Sequence, residues 1–142
     1  MLALRLVLDT DIVVSAALKP DGLQRTVLLL AITKPARLYL STPISAEYRT
    51  VLSRRELHIR KGMRRQLLQL LENRVHFVEP SRSLQVTSGP ADNIFVECAD
   101  AARADYLITG NPRHFPKFWK KTKIINSREL ISIVAPHLLP WS

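Results

Sequence analysis

Short apolar runs alternate with longer amphipathic stretches along this chain. Residues 4–8 form a largely apolar run that ends on an acid, the pattern of a buried parallel strand. Residues 37–40, 75–78, 106–109 and 123–125 are predicted as four further short strands. Between them, residues 12–18 and 23–32 read as helices separated by Pro20-Asp21-Gly22. Thr42-Pro43 reads as an N-cap with proline at the first helical position, opening a helix to about Ser53. Met63, Leu67, Leu70 and Leu71 recur at helical spacing, so 60–73 is predicted as an amphipathic helix. The alanine-rich stretch 92–104 reads as another helix. Asn126, with Glu129 three residues on, resembles a capping box for the last helix, which Pro136 ends. Residues 80–90 are polar and aperiodic, a loop within the domain.

Strands alternating with helices predict an α/β fold. The expectation is a three-layer α/β/α sandwich around a central parallel sheet of four to five strands, with residues 1–142 as one domain. Ligands of such sheets bind beyond the carboxyl ends of the strands. The acids of interest are those placed there.

Asp9 ends the first strand in Leu8-Asp9-Thr10-Asp11, where it can equally cap the following helix. Asp92 opens the alanine-rich helix, where the helix dipole favours a carboxylate in any case. The fourth strand runs into Thr109-Gly110-Asn111, and Gly110 is expected to turn the chain so that Asn111 shares the edge with Asp9. Glu47, on the helix after the second strand, is by itself an ordinary solvated glutamate. Carboxylates that converge repel one another, and a divalent cation removes the conflict. Oxygen-only ligands suit Mg²⁺ or Mn²⁺, which polarise a phosphate oxygen and acidify water.

Composition supports a polyanionic partner. Lys and Arg number 21 against 12 acids among 142 residues, a formal charge of +9; a field of that sign attracts nucleic acid. Arg49, Arg54, Arg55, Arg60, Lys61, Arg64 and Arg65 form one group. Lys117, Lys120, Lys121 and Lys123 form a second beside Phe118 and Trp119, which are available for base stacking. Cys98 is the only cysteine, so an internal disulfide and a cysteine-built zinc cluster are excluded. No apolar run approaches the ~20 residues of a membrane span, and no signal-peptide pattern is present. Together these features predict a cytoplasmic protein.

Four segments, "LVLDTDIVVSAAL", "STPISAEYRTVL", "DNIFVECADAARADYLITGN" and "HFP", resemble the PIN-domain nucleases in order and spacing. The resemblance is strongest to VapC-like toxins of toxin–antitoxin pairs and covers nearly the whole chain. It implies a catalytic acidic cluster in which the first acid falls on Asp9, the helix-borne glutamate on Glu47 and the third acid on Asp92. The fourth position, usually aspartate, falls on Asn111. The implied activity is Mg²⁺- or Mn²⁺-dependent hydrolysis of single-stranded RNA by a homodimer, blocked by a cognate antitoxin. The case for Glu47 rests mainly on this resemblance. Asn111 offers a carbonyl oxygen without charge, which implies one well-held metal rather than two. Asp11 stands where relatives more often carry asparagine and can restore the missing charge.

Other residues are weighed as support. Thr10 and Ser15 carry hydroxyls close to Asp9, and Thr10 can bond the pocket or simply cap. Asp105 precedes the fourth strand and is expected to orient ligands or serve structure rather than ligate. Glu97 lies about 140° around an ideal helix from Asp92; it and Asp100 are expected in solvent or paired with Arg103. His114 is expected to be a packed or surface residue. Two other readings compete with a nuclease. Asp9-Thr10-Asp11 also fits the nucleophile motif of haloacid-dehalogenase-like phosphatases, though no paired acid motif follows a late strand. Asn111 also suits a non-catalytic domain that binds RNA or a partner protein.

Overall fold

The computed structural model describes residues 3–139. Five short strands, β1 (Arg5–Leu8), β2 (Arg37–Leu40), β3 (His76–Phe77), β4 (Tyr106–Ile108) and β6 (Thr122–Ile125), run parallel. A sixth, β5 (Phe118–Trp119), pairs antiparallel with β6 at the sheet edge, in the order β3-β2-β1-β4-β6-β5. The antiparallel edge strand goes beyond the all-parallel expectation. Two residues flanked by lysines carry too little periodicity to announce a strand, and the pairing with Lys123 and Thr122 creates it.

Among the described residues, six helices cover the sheet: α1 (Thr10–Leu18), α2 (Leu23–Ala31), α3 (Thr42–Leu52), α4 (Lys61–Arg74), α5 (Asn93–Ala102) and α6 (Ser127–Val134). Leu6, Val7 and Leu8 are buried in succession, as are Leu38, Tyr39 and Leu40. Side chains of a strand alternate between faces, so both faces of the sheet are covered and the fold is the expected α/β/α sandwich. On α4, Leu67 and Leu71 reach the core while Met63 stays half-exposed. The α3 cap is one residue earlier than predicted: Ser41 Oγ accepts from Ile44 N at 3.4 Å. The Thr42 hydroxyl instead donates to Glu79 Oε1 at 2.8 Å. The capping box at Asn126 and Glu129 is present in both directions.

The loop over 80–90 is fastened to α5. Leu84 N donates to Glu97 Oε2, and Val86 N and Thr87 N both donate to Asn93 Oδ1. Glu97 therefore faces the protein, not solvent. Asp100 takes the Trp119 indole N–H at 3.0 Å, Lys120 at 2.9 Å and Arg82 at 3.3 Å. Its partner is not Arg103, whose left-handed backbone caps α5. Cys98 is buried and its thiol pushed up to about 12 by burial, so it is unreactive. Among the described residues, no helix is long and apolar enough to cross a membrane.

β1 has β2 on one side and β4 on the other. The chain leaves β1 toward β2 and β3, then returns to β4 across the first strand. The carboxyl ends of β1 and β4 thus form the topological switch point of the sheet, where its crevice lies.

Candidate active site

Asp9 follows β1 directly. Its N–H extends the ladder to Ile108 O at 2.9 Å, so the residue is held by the sheet before its side chain makes any contact. Asp9 is only 7% exposed. Oδ1 accepts from Thr10 N at 2.8 Å and Oδ2 from the Thr109 hydroxyl at 2.7 Å. Asp9 is therefore the N-cap of α1 and also the buried acid of the strand-end crevice. Burial first, then the neighbouring Asp11 charge, raises its carboxyl from 3.8 to about 6. The Thr109 and Thr10 hydrogen bonds oppose that rise, and Asp92 adds to it.

Asp11 faces the end of β4. Its Oδ2 accepts from Gly110 N at 2.9 Å and from Asn111 Nδ2 at 3.3 Å. Among the described residues, its Oδ1 is buried without a hydrogen-bond partner. Burial chiefly raises this carboxyl too, with Asp92 adding to the push, against the N–H groups of Gly110 and Ile12. Gly110 has no left-handed backbone; it is needed for another reason. A Cβ there would collide with the Asp11 carboxylate, so glycine permits the approach rather than a sharp turn.

Glu47 reaches the crevice from α3, and its Oε2 accepts the Thr10 hydroxyl at 3.0 Å. Thr10 thus links the glutamate to the turn after Asp9 and is more than a cap. Asp92 closes a 3-10 turn ahead of α5. Its side chain makes no capping bond, and its Oδ2 lies 3.5 Å from His114 Nδ1. His114 is exposed but faces an acid of the site. Asn111 is exposed, with its N–H on Thr109 Oγ1 at 3.0 Å.

Two supporting residues fall elsewhere. Asp105 lies at the opposite end of β4, where Oδ2 accepts from Arg5 N at 2.8 Å and Lys121 stands at 3.6 Å. Its role is to align the starts of β1 and β4. It cannot orient ligands at the carboxyl ends, because strand direction separates the two edges. Ser15 sits in the middle of α1 without a side-chain hydrogen bond to the acids, among the described residues.

The basic groups divide as well. Arg49, Lys61, Arg64 and Arg65 line one groove of about 400 Å³ with Leu68, Gln69 and Glu72, and Arg49 pairs with Glu72. Arg54 and Arg55 follow α3, exposed, and Arg60 precedes α4. Lys117 is exposed next to β5. Lys120 occupies the β5–β6 turn at the amino end of β6, away from the acids, and pairs with Asp100. Trp119 is half-buried, its N–H held by Asp100 and its ring met by Arg82 and Lys120 at 5.8 and 5.9 Å, whereas Phe118 is 57% exposed beside Lys123.

Sequence reasoning missed two residues here. Thr109 holds both Asp9 and the Asn111 backbone, and its signal was a hydroxyl at the end of a buried strand. Tyr48 is fully buried and donates to Leu8 O at 2.5 Å, fixing α3 to the end of β1. The neighbouring Glu47 offered no hint of it.

The donors around the crevice are hard oxygens with uncompensated charge and one orphaned buried oxygen, which fits Mg²⁺ or Mn²⁺ in chemistry. Among the described residues, no three carboxylates or histidines stand close enough to hold a metal ion as they are. Glu47 and Asp92 are each tied by a single polar contact, so their carboxylates keep rotational freedom.

A family model described as PIN domain matches residues 5–113. No curated protein sequence matches the chain. Among solved structures, a chain of VapBC2 from Rickettsia felis, bound to a DNA fragment from its promoter, superposes with a TM-score of 0.60. It is 19% identical and the match covers 86% of this chain and 98% of that one. A chain of FitAB bound to the IR36 DNA fragment gives 0.53 at 19% identity, covering 86% and 94%. These likenesses are of fold.

Proposed function

The chain belongs to the PIN-domain family, and we propose on that premise that it is a divalent-metal-dependent endoribonuclease acting on single-stranded RNA. The observation that carries this reading is Asp9, buried at the switch point with its carboxyl raised and two further carboxylates acting on it. An enclosed carboxylate among like charges is unfavourable unless a cation joins it. Asp9, Asp92 and Glu47 are the residues that would hold Mg²⁺ or Mn²⁺, with the Asn111 carbonyl assisting. When bound, the cation supplies Lewis acidity toward a phosphate oxygen and toward an attacking water.

The chain's own residues do the remaining work. Thr109 and Thr10 N–H fix the Asp9 carboxylate, so its orientation does not have to be found during reaction. Thr10 orients Glu47 toward the same turn. Arg49, Lys61, Arg64 and Arg65 offset the phosphate charge that the acidic crevice alone would repel. Phe118 offers an exposed face on which a base can stack.

The test is cleavage of single-stranded RNA by purified protein with Mg²⁺ or Mn²⁺. Products with 5′-phosphate and 3′-hydroxyl ends are expected, and Asp9→Asn and Asp92→Ala should abolish them. An RNA complex that persists in EDTA, with no cleavage at any metal concentration, would select the non-catalytic binder that neutral Asn111 favours. The phosphatase reading is disfavoured because no paired acid motif follows a late strand and the family match is to the PIN domain.

The similarity to VapBC2 and FitAB chains supports a toxin role with a cognate antitoxin as partner; a homodimer in the cytoplasm is the working form we propose with it. Co-expression with the product of an adjacent small open reading frame should relieve growth arrest, and light scattering should give twice the chain mass.

A further inference from the structure

Asp11 is anchored on one side and unsatisfied on the other. Gly110 N and Asn111 Nδ2 both donate to Oδ2, at 2.9 and 3.3 Å. The absence of a Cβ at Gly110 is what lets this carboxylate sit against the β4 turn. Oδ1, by contrast, is buried without a hydrogen-bond partner among the described residues, the nearby Ile12 N–H being taken by Asp9 O at 3.1 Å. A buried carboxylate oxygen left unpaired is unfavourable unless a cation or a donor meets it. Asp9 and Asp92 both act on Asp11 electrostatically, so the orphaned oxygen belongs to the same field as the acids of the crevice.

We propose that Asp11 is a further cation ligand of this site, with Oδ1 as the free donor and Asn111 as the positioning residue that holds Oδ2. This rests on the metal-dependent reading above. The amide of Asn111 is oriented as a donor toward Asp11 Oδ2, the same oxygen that Gly110 N meets, so exchanging the two side chains keeps asparagine at 11 on Gly110 N and gives up the amide contact. The exchange preserves the charge, moving it across one contact of 3.3 Å. Residue 111 therefore does not have to be acidic for this corner of the site to carry a negative charge. A purely structural Asp11 predicts something different, because asparagine at 11 still accepts from Gly110 N and keeps the β4 turn in place.

The test is a Mn²⁺ titration of the full chain without RNA, with the free ion followed by electron paramagnetic resonance. It compares wild type, Asp9→Asn, Asp11→Asn, Asn111→Asp and the exchange Asp11→Asn/Asn111→Asp. Asp11→Asn is expected to weaken Mn²⁺ binding tenfold or more, and the exchange to recover to within threefold of wild type. Wild-type affinity in Asp11→Asn, or an exchange no better than that variant, overturns the proposal. Loss of binding in Asp9→Asn with Asp11→Asn intact overturns the role of Asp11 alone. No binding by wild type overturns the metal reading with it. Should Asp11→Asn fail to fold by circular dichroism, Asn111→Ala keeps the charge but releases it. A severalfold weaker binding is then expected, and unchanged affinity overturns the pairing.

Discussion

Replacing Asp9 with asparagine should stabilise the metal-free protein and remove its response to metal. The Asp9 carboxyl is raised from 3.8 to about 6 by burial and by Asp11. Between those values the folded protein holds a proton that the unfolded chain has already released. Its contribution to stability is therefore complete below pH 3.8 and is lost as the pH rises through about 6. A rise of that size corresponds to roughly 3 kcal/mol. Asparagine keeps the local bonds, since its carbonyl accepts from Thr10 N and its amide donates to the Thr109 oxygen. In EDTA the variant should match wild type near pH 4 and exceed it by up to about 3 kcal/mol above pH 7, on the order of 10 °C in Tm. Urea unfolding at several pH values measures the difference. Mn²⁺ at about 100 times its Kd should then add about 2.7 kcal/mol to wild type and nothing to the variant. A pH-independent difference, or a less stable variant at pH 7, would refute the electrostatic account of this site.

Other outcomes follow from the same contacts. Gly110→Ala forces the Asp11 carboxylate aside and should cost about 1–3 kcal/mol together with most Mn²⁺ binding, both read on one purified sample. Tyr48→Phe removes the bond to Leu8 O and should cost about 1–3 kcal/mol in urea unfolding while RNA cleavage falls only a few-fold. Asp100→Asn releases Lys120 and weakens the hold on Trp119 and Arg82. The Asp100 carboxyl lies well below the usual range because of Lys120 first, so its contribution is present at neutral pH and lost only on strong acidification. The variant should therefore be less stable at pH 7, with a shifted tryptophan emission. Charge reversal at Lys61, Arg64 and Arg65 should weaken RNA binding tenfold or more and flatten its salt dependence, whereas Lys120→Glu should change it little.

The alternation of buried runs and amphipathic stretches determined the layered fold and placed Asp9, Asp92 and Asn111 near one edge of the sheet, whereas Glu47 rested mainly on the family resemblance. Such patterns are local, because a strand or helix must show its period wherever it packs. Composition likewise determined the positive field, which needs only a count of charges. What each acid does was decided by contacts across the chain. Thr109 reaches Asp9 and Asn111 reaches Asp11, each across 100 residues, and Tyr48 reaches Leu8 across 40. The same long-range pairing sent Asp105 and Lys120 to the far end of the sheet and occupied Trp119 with Asp100. Glycine at 110 could be read as a turn from its type alone, yet its need comes from a carboxylate ninety-nine residues earlier. A sequence carries residue types and periods, whereas hydrogen bonding and desolvation depend on distances that exist only once the strands are in register.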